Sequence, residues 1–189
     1  MSLMTVGISR AGAKQYLVVL AAVFLGSALH ASELPVPKTT PKVIGLIIKK
    51  HGAPQAIKIL TNAHRGGREF GDYYIVLSGV SSGDRRWLAL VPRLKAGTDA
   101  ATSLALIVSV AEALPRNPMA VLSLIKANPS WQNVCTYPMI EPTKAEQRIY
   151  FRKAIPAVRS VRDPTLRSTT NRCLANLVQA QHAPKFRTH

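Results

Sequence analysis

Residues 79–83, Gly-Val-Ser-Ser-Gly, match the pattern G-x-S-x-G. In serine hydrolases this pattern forms the sharp turn that exposes a nucleophilic serine between a strand and a helix. The apolar run at 73–77 could supply the strand, and Asp163 and His182 follow in the hydrolase order of acid and then histidine. One interpretation of the chain is therefore a small serine hydrolase that uses Ser81.

The surroundings of the motif argue against catalysis. An α/β-hydrolase needs a multi-stranded parallel sheet, whereas nearly every apolar segment after Asp84 repeats with helical periodicity. His182 stands near the C-terminus, where a general base is not held within hydrogen-bond reach of Ser81. We favour a helix that ends at Gly79, followed by a Ser/Gly turn and a helix cap at Asp84. We expect no catalytic residue.

Metal and cofactor chemistry finds little support in the sequence. His51, His64 and His189 show no H-E-x-x-H spacing and no second ligand four residues away. A P-loop and a dinucleotide fingerprint are both absent from the sequence. We therefore expect no metal site and no cofactor.

The two cysteines, Cys135 and Cys173, predict a disulfide, because an even pair in an exported chain is usually bonded. The bond would close a loop of about 38 residues and stabilise the fold by roughly 3 to 4 kcal/mol. The alternative is two buried cysteines that pack as small apolar side chains.

A run of basic residues in the C-terminal third has helical spacing. At about 100° per residue, five of them fall close to one line of a helical wheel. We call them the arginine stripe: Lys144, Arg148, Arg152, Arg159 and Arg162. Phe151, Ala154, Val158 and Val161 lie to one side as an apolar line. The stripe predicts a surface that attracts an acidic partner, and the alternative is a solvated face that only maintains solubility.

The nature of a partner follows from composition and compartment. Aromatic residues make up only 6% of the chain and both tryptophans lie outside the stripe, so the stacking contacts of nucleic-acid modules are disfavoured. An acidic protein, an anionic lipid headgroup or an envelope glycan fits better.

The N-terminus predicts export. Arg10 and Lys14 precede an apolar run at 16–25, and cleavage is expected after Ala31 or Ala28, which makes residues 1–31 a signal peptide. The alternative is a membrane anchor, but the run is short for a span, and we expect none to persist after cleavage. Removing Arg10 and Lys14 lowers the formal charge from +16 to +14. The protein is expected in the periplasm or outside the cell.

The mature chain divides into a proline-rich linker at 32–39, one helical domain at 40–181 and a basic tail at 182–189. A cap residue or an N1 proline precedes each apolar-periodic run of the domain. These starts are Thr40-Pro41, Asp84, Thr98, Asn117-Pro118, Thr143 and Asp163-Pro164. Gly52 and Pro54 are expected to divide the first helix, and Pro92 and Pro156 to kink or break later ones. The predicted core face of the run after Thr98 consists of Leu104, Ile107, Val108, Ala111 and Leu114.

The predicted fold is all-α, an array of short antiparallel helical hairpins of HEAT-like type, fastened by one disulfide. A hydrophobic content of 47% with two cysteines excludes a disordered chain and a cysteine-dense mini-scaffold. We expect a non-enzymatic exported binding module, of the inhibitor or immunity type, for an acidic partner. The alternatives are the serine hydrolase and a structural envelope protein that adheres to anionic lipid or glycan.

Overall fold

A computed structural model of the protein describes residues 39–62, 70–138 and 143–182. Every regular element in these ranges is helical, which confirms the all-α prediction. The predicted signal peptide, linker residues 32–38 and tail residues 183–189 lie outside the described residues. The helices are α1 (Pro41–Asn62), α2 (Tyr73–Ser81), α3 (Arg85–Leu88), α4 (Val91–Lys95), α5 (Ala100–Ala113), α6 (Pro118–Ala127), α7 (Lys144–Arg159) and α8 (Arg167–His182), with 3₁₀ segments at Pro129–Cys135 and Pro164–Leu166.

Side-chain caps start the helices close to the predicted positions. The Asp84 carboxylate accepts the amide of Arg86 at 2.8 Å. Thr143 and Glu146 form the expected reciprocal box: the Thr143 amide donates to Glu146 at 2.9 Å and the Glu146 amide donates to Thr143 at 3.2 Å. The cap of α5 is Asp99 and not Thr98, because the Asp99 carboxylate reaches the Thr102 amide at 2.9 Å.

The predicted interruptions are confirmed at two of three places. Gly52 divides α1 with a φ of 77° that favours glycine. Pro92 lies in the first turn of α4, so the predicted single helix after Asp84 is two short ones. The break expected at Pro156 is wrong, because α7 continues through it to Arg159.

The central packing places α2 along α5. Tyr73 of α2 is fully buried and its hydroxyl donates to the Thr102 carbonyl at 3.2 Å. The predicted face of α5 is confirmed only in part: Ala111 and Leu114 are buried, but Leu104 is 49% exposed. Leu106 and Val110, which were not predicted, are fully buried. Since α5 is apolar on most sides, the period alone did not determine which side meets the core.

The C-terminal helices α7 and α8 pack as an antiparallel pair, because the start of α7 and Gln181 at the end of α8 line one groove. The predicted disulfide is present and joins Cys135 of the 3₁₀ segment to Cys173 of α8. Cys173 and Leu177 are buried, whereas Val178 of the same helix is 39% exposed.

Candidate functional site

The helix α7 presents an apolar side to the core and a basic side to solvent. Phe151, Ala154 and Val158 are buried, as the apolar line predicted, whereas Val161 lies beyond the end of the helix and is half-buried. On its flank, the Tyr150 hydroxyl donates to the Ala111 carbonyl of α5 at 3.1 Å. Together with the cap at Thr143, these contacts fix the rotation of α7 about its axis.

The arginine stripe is exposed throughout, and four of its members share one helix. Lys144, Arg148, Arg152 and Arg159 occupy an arc of about 80° on the outer side of α7. Arg162 does not belong to this line, because the helix ends at Arg159 with Ser160 as its C-cap. The prediction was wrong there because it extended the helical wheel past the end of the helix.

An open groove lies beside the stripe, with a volume of about 670 Å³. Arg148 and Arg152 line it together with the apolar side chains of Ile149 and Ile155. Ile149 is 43% exposed. Ile155, which interrupts the stripe in sequence, thus lies in the groove that two arginines flank. Gln181 of α8 lines the same groove.

Few acids lie near this surface: Glu112 of α5 and Glu146 line a separate groove on α7 together with Ile149 and Lys153. Residues 143–182 contain eight Lys and Arg and two acids, Glu146 and Asp163. Both acids cap helices: Glu146 holds Thr143, and Asp163 accepts the Thr165 amide at 2.8 Å. The hydrogen bonds from Thr143 lower the pKa of the Glu146 carboxyl. Arg86 and Asp84 form an ion pair at 2.6 Å on α3 and its cap.

The hydrolase alternative loses its structural context. The segment predicted as a strand is helical, and α2 continues past Gly79 to Ser81. The Ser81 hydroxyl donates to the Ser78 carbonyl at 3.1 Å. Among the described residues, no hydrogen bond joins Ser81 to Asp163 or His182, and the grooves described at Ser81 are lined by neither. The turn glycine is Gly83, with a φ of 79°.

Sequence reasoning missed the groove, because Gln181 approaches α7 only through the folding of the hairpin. The available signal was Ile149, an aliphatic residue about 60° beyond Arg152 on the wheel, on the side of the stripe away from the apolar line. Within the described residues, no helix is both long and apolar enough to cross a membrane. Comparisons with models of protein families, with curated proteins and with solved structures give no match for this chain.

Proposed function

We propose that the protein is an exported, non-enzymatic binding module that holds an acidic partner protein on the outer side of α7. The observation that carries the proposal is the juxtaposition of Arg148 and Arg152 with the exposed Ile149 in one groove. Charge alone is common on solvated faces, but charge beside an unfilled apolar groove is typical of an interface.

The side-chain chemistry favours a carboxylate-bearing partner. A guanidinium is planar and presents paired donors that match a carboxylate, so arginines give orientation as well as attraction. The apolar groove gives the partner a place for one or two aliphatic or aromatic side chains, which supply most of the affinity in protein interfaces. An inhibitor or immunity-type protein that blocks an acidic partner would act in this way.

Two further parts of the proposal concern the chain around the site. The buried Cys135–Cys173 disulfide supports folding in an oxidising compartment, in agreement with the predicted leader at residues 1–31. The antiparallel pair α7–α8 is the kind of unit from which a HEAT-like array of hairpins is built, and we retain that arrangement as part of the proposal.

The test begins with capture of a partner from envelope extract on immobilised protein, followed by purification of that partner. Association and dissociation rates are then measured at several salt concentrations for the wild type and for Arg148→Glu/Arg152→Glu. We expect association to slow by about tenfold at low salt and the salt dependence to flatten. The matched control is Lys49→Glu/Lys50→Glu, which makes the same change of charge at exposed positions of α1.

Comparison of the two double variants distinguishes a specific binding site on α7 from an effect of the protein's total charge. Equal losses for the two double variants would show that only the total charge matters, and the proposal would fail. Unchanged binding by Arg148→Glu/Arg152→Glu would assign the stripe to solubility. Thermal unfolding of both variants should match that of the wild type closely, since exposed charges contribute little to folding.

A further inference from the structure

A second basic surface lies on the first half of α1, and the arginine stripe does not include it. Three lysines surround one leucine on the outer side of the helix, and an arginine of α4 stands at the edge. We call these residues the lysine face: Lys42, Leu46, Lys49, Lys50 and Arg93.

The geometry of α1 makes this face continuous. On the helical wheel the three lysines and Leu46 share an arc of about 100°, opposite the buried Ile44 and Ile48. All of them are exposed. Arg93 is brought to the same helix because its guanidinium donates to the Gly45 carbonyl at 3.2 Å.

The apolar centre of the face projects into solvent. Leu46 is 57% exposed, the highest value among the large apolar side chains of the described residues. Because Ile44 and Ile48 already fill the core side of α1, Leu46 makes no contribution to the core that would explain its type. A leucine among lysines is the arrangement by which a helix rests on a lipid surface, with the apolar side chain below the headgroups.

In the part of the chain that the structure describes, the acids on elements near this face are engaged in other contacts. Residues 41–62 and α4 contain no Asp or Glu. On neighbouring elements, Asp72 is buried and accepts the Thr39 hydroxyl at 3.2 Å, and the Asp99 carboxylate caps α5. The positive charge therefore faces outward.

We infer that the lysine face docks on an anionic phospholipid surface, with Leu46 inserted among the headgroups and the lysines paired with phosphates. Lysine is a compact charge on a flexible stem, which suits many shallow phosphate contacts better than the oriented pairing that arginine gives. Its methylene stem also lies comfortably along the apolar boundary while the ammonium stays in water. The lysines and Leu46 lie on the outer side of one helix, so they suit a broad surface better than an inserted side chain.

The experiment measures binding to vesicles of phosphatidylcholine alone and of phosphatidylcholine mixed with phosphatidylglycerol, by sedimentation at physiological salt. The wild type and all variants are used in the form in which the protein accumulates, so that any contribution of residues 1–31 is the same in each. We expect binding to the mixed vesicles and little to the neutral ones. Lys42→Gln/Lys49→Gln/Lys50→Gln should weaken it by about a hundredfold, since each basic residue at such a surface contributes about 1 kcal/mol.

Two further variants locate the contact. Lys144→Gln/Arg148→Gln/Arg152→Gln removes the same charge from α7 and should weaken vesicle binding far less, because charges far from the surface are screened. Leu46→Ser should reduce binding by about fivefold, and the reduction should persist in high salt because it is apolar.

Several results would overturn the inference. These are no binding to anionic vesicles, equal binding to neutral ones, or equal losses for the two triple variants. Equally strong binding to soluble polyglutamate, lost in the same way on α1, would identify a general polyanion site and not a lipid surface. Because the proposed partner site is tested by protein binding at α7, failure of either idea leaves the other standing.

Discussion

The arginine stripe on α7 and the lysine face on α1 have the same sign of charge and different shapes. The first flanks a groove that contains Ile149 and Ile155, whereas the second surrounds a leucine that projects from the surface. A groove lined by apolar side chains can accept a side chain of a partner protein. A projecting leucine can instead insert among lipid headgroups. The formal charge of +16 does not distinguish these surfaces, and the position of a few aliphatic side chains does.

The two faces are also attached to the fold by different means. The helix α7 packs on α8, which the disulfide fastens to the 3₁₀ segment Pro129–Cys135. The helix α1 packs on α4, and there the backbone of Ala53 lies directly against Gly97. The arginine stripe thus depends on the disulfide, and the lysine face depends on the missing side chain at Gly97. Each face can therefore be disturbed without the other.

The largest effect is expected from removal of the disulfide. Cys135→Ala/Cys173→Ala should lower the free energy of unfolding by about 3 to 4 kcal/mol, because the unfolded chain regains the freedom of the closed loop. Urea denaturation gives the size of the loss. Amide hydrogen exchange gives its place: α8 and the 3₁₀ segment should lose protection well before the first half of α1. Uniform loss of protection in both regions would mean that the faces are not independently supported.

A smaller effect is expected from closing the space between α1 and α4. A Cβ added at Gly97 would overlap the carbonyl group of Ala53, which is backbone and cannot rotate away. Gly97→Ala should therefore cost about 1 to 3 kcal/mol and loosen α1 while α7 keeps its protection.

The matched control for this substitution is Gly45→Ala in the same helix. Its Cβ would meet Leu90 at 3.8 Å, an ordinary contact. Alanine has the higher helix propensity, so this variant should gain about 0.5 to 1 kcal/mol. If chemical denaturation shows that both variants lose stability alike, the close approach at Ala53 is not what holds α1.

How far the sequence anticipated these regions depends on whether a feature is local. The cap at Thr143 and the break at Gly52 were predicted because a few adjacent residues determine them. The disulfide was predicted because the chain has two cysteines and is expected in an oxidising compartment. The buried side of α5 was predicted only in part, because the rotation of an apolar helix about its axis is determined by the elements that pack against it. The groove on α7 was not predicted, because Gln181 is distant in sequence and lies beside α7 only after α7 and α8 pack together.

The lysine face shows a different shortfall. Its lysines at positions 42, 49 and 50 have plain helical spacing, and the absence of acids from 41–62 is visible in the sequence. The exposure of Leu46 could not be predicted from the sequence. Its neighbours Ile44, Ile47 and Ile48 are also aliphatic, so the whole segment has the composition of a buried one. Deciding which of four aliphatic residues remains outside requires the packing of α4.

The smallest effect concerns the N-terminal caps of α1 and α7. Lowering the pH should weaken the cap of α7 and leave that of α1 unchanged. The first turn of α1 is capped by the Thr40 hydroxyl, which accepts the Val43 amide at 3.3 Å and does not ionise. The first turn of α7 uses the Glu146 carboxylate, whose pKa is lowered from 4.5 by its hydrogen bonds from Thr143. A carboxyl with a lowered pKa stabilises the folded state above its ordinary pKa, and this stabilisation disappears as the pH falls through the lowered value.

Acidification should therefore fray the start of α7, where Lys144 of the stripe lies, and leave the start of α1 intact. We expect protection factors measured by NMR at pH 6 and pH 3 to fall for the amides of Glu146 and Gln147 and to stay constant for Val43 and Ile44. Thr143→Ala, which should cost about 1 kcal/mol by loss of the cap, should also reduce the pH dependence at α7, because only the backbone amide of residue 143 still donates to the Glu146 carboxylate. Equal responses at the two helix starts would show that α7 is held by its packing on α8 and not by its cap.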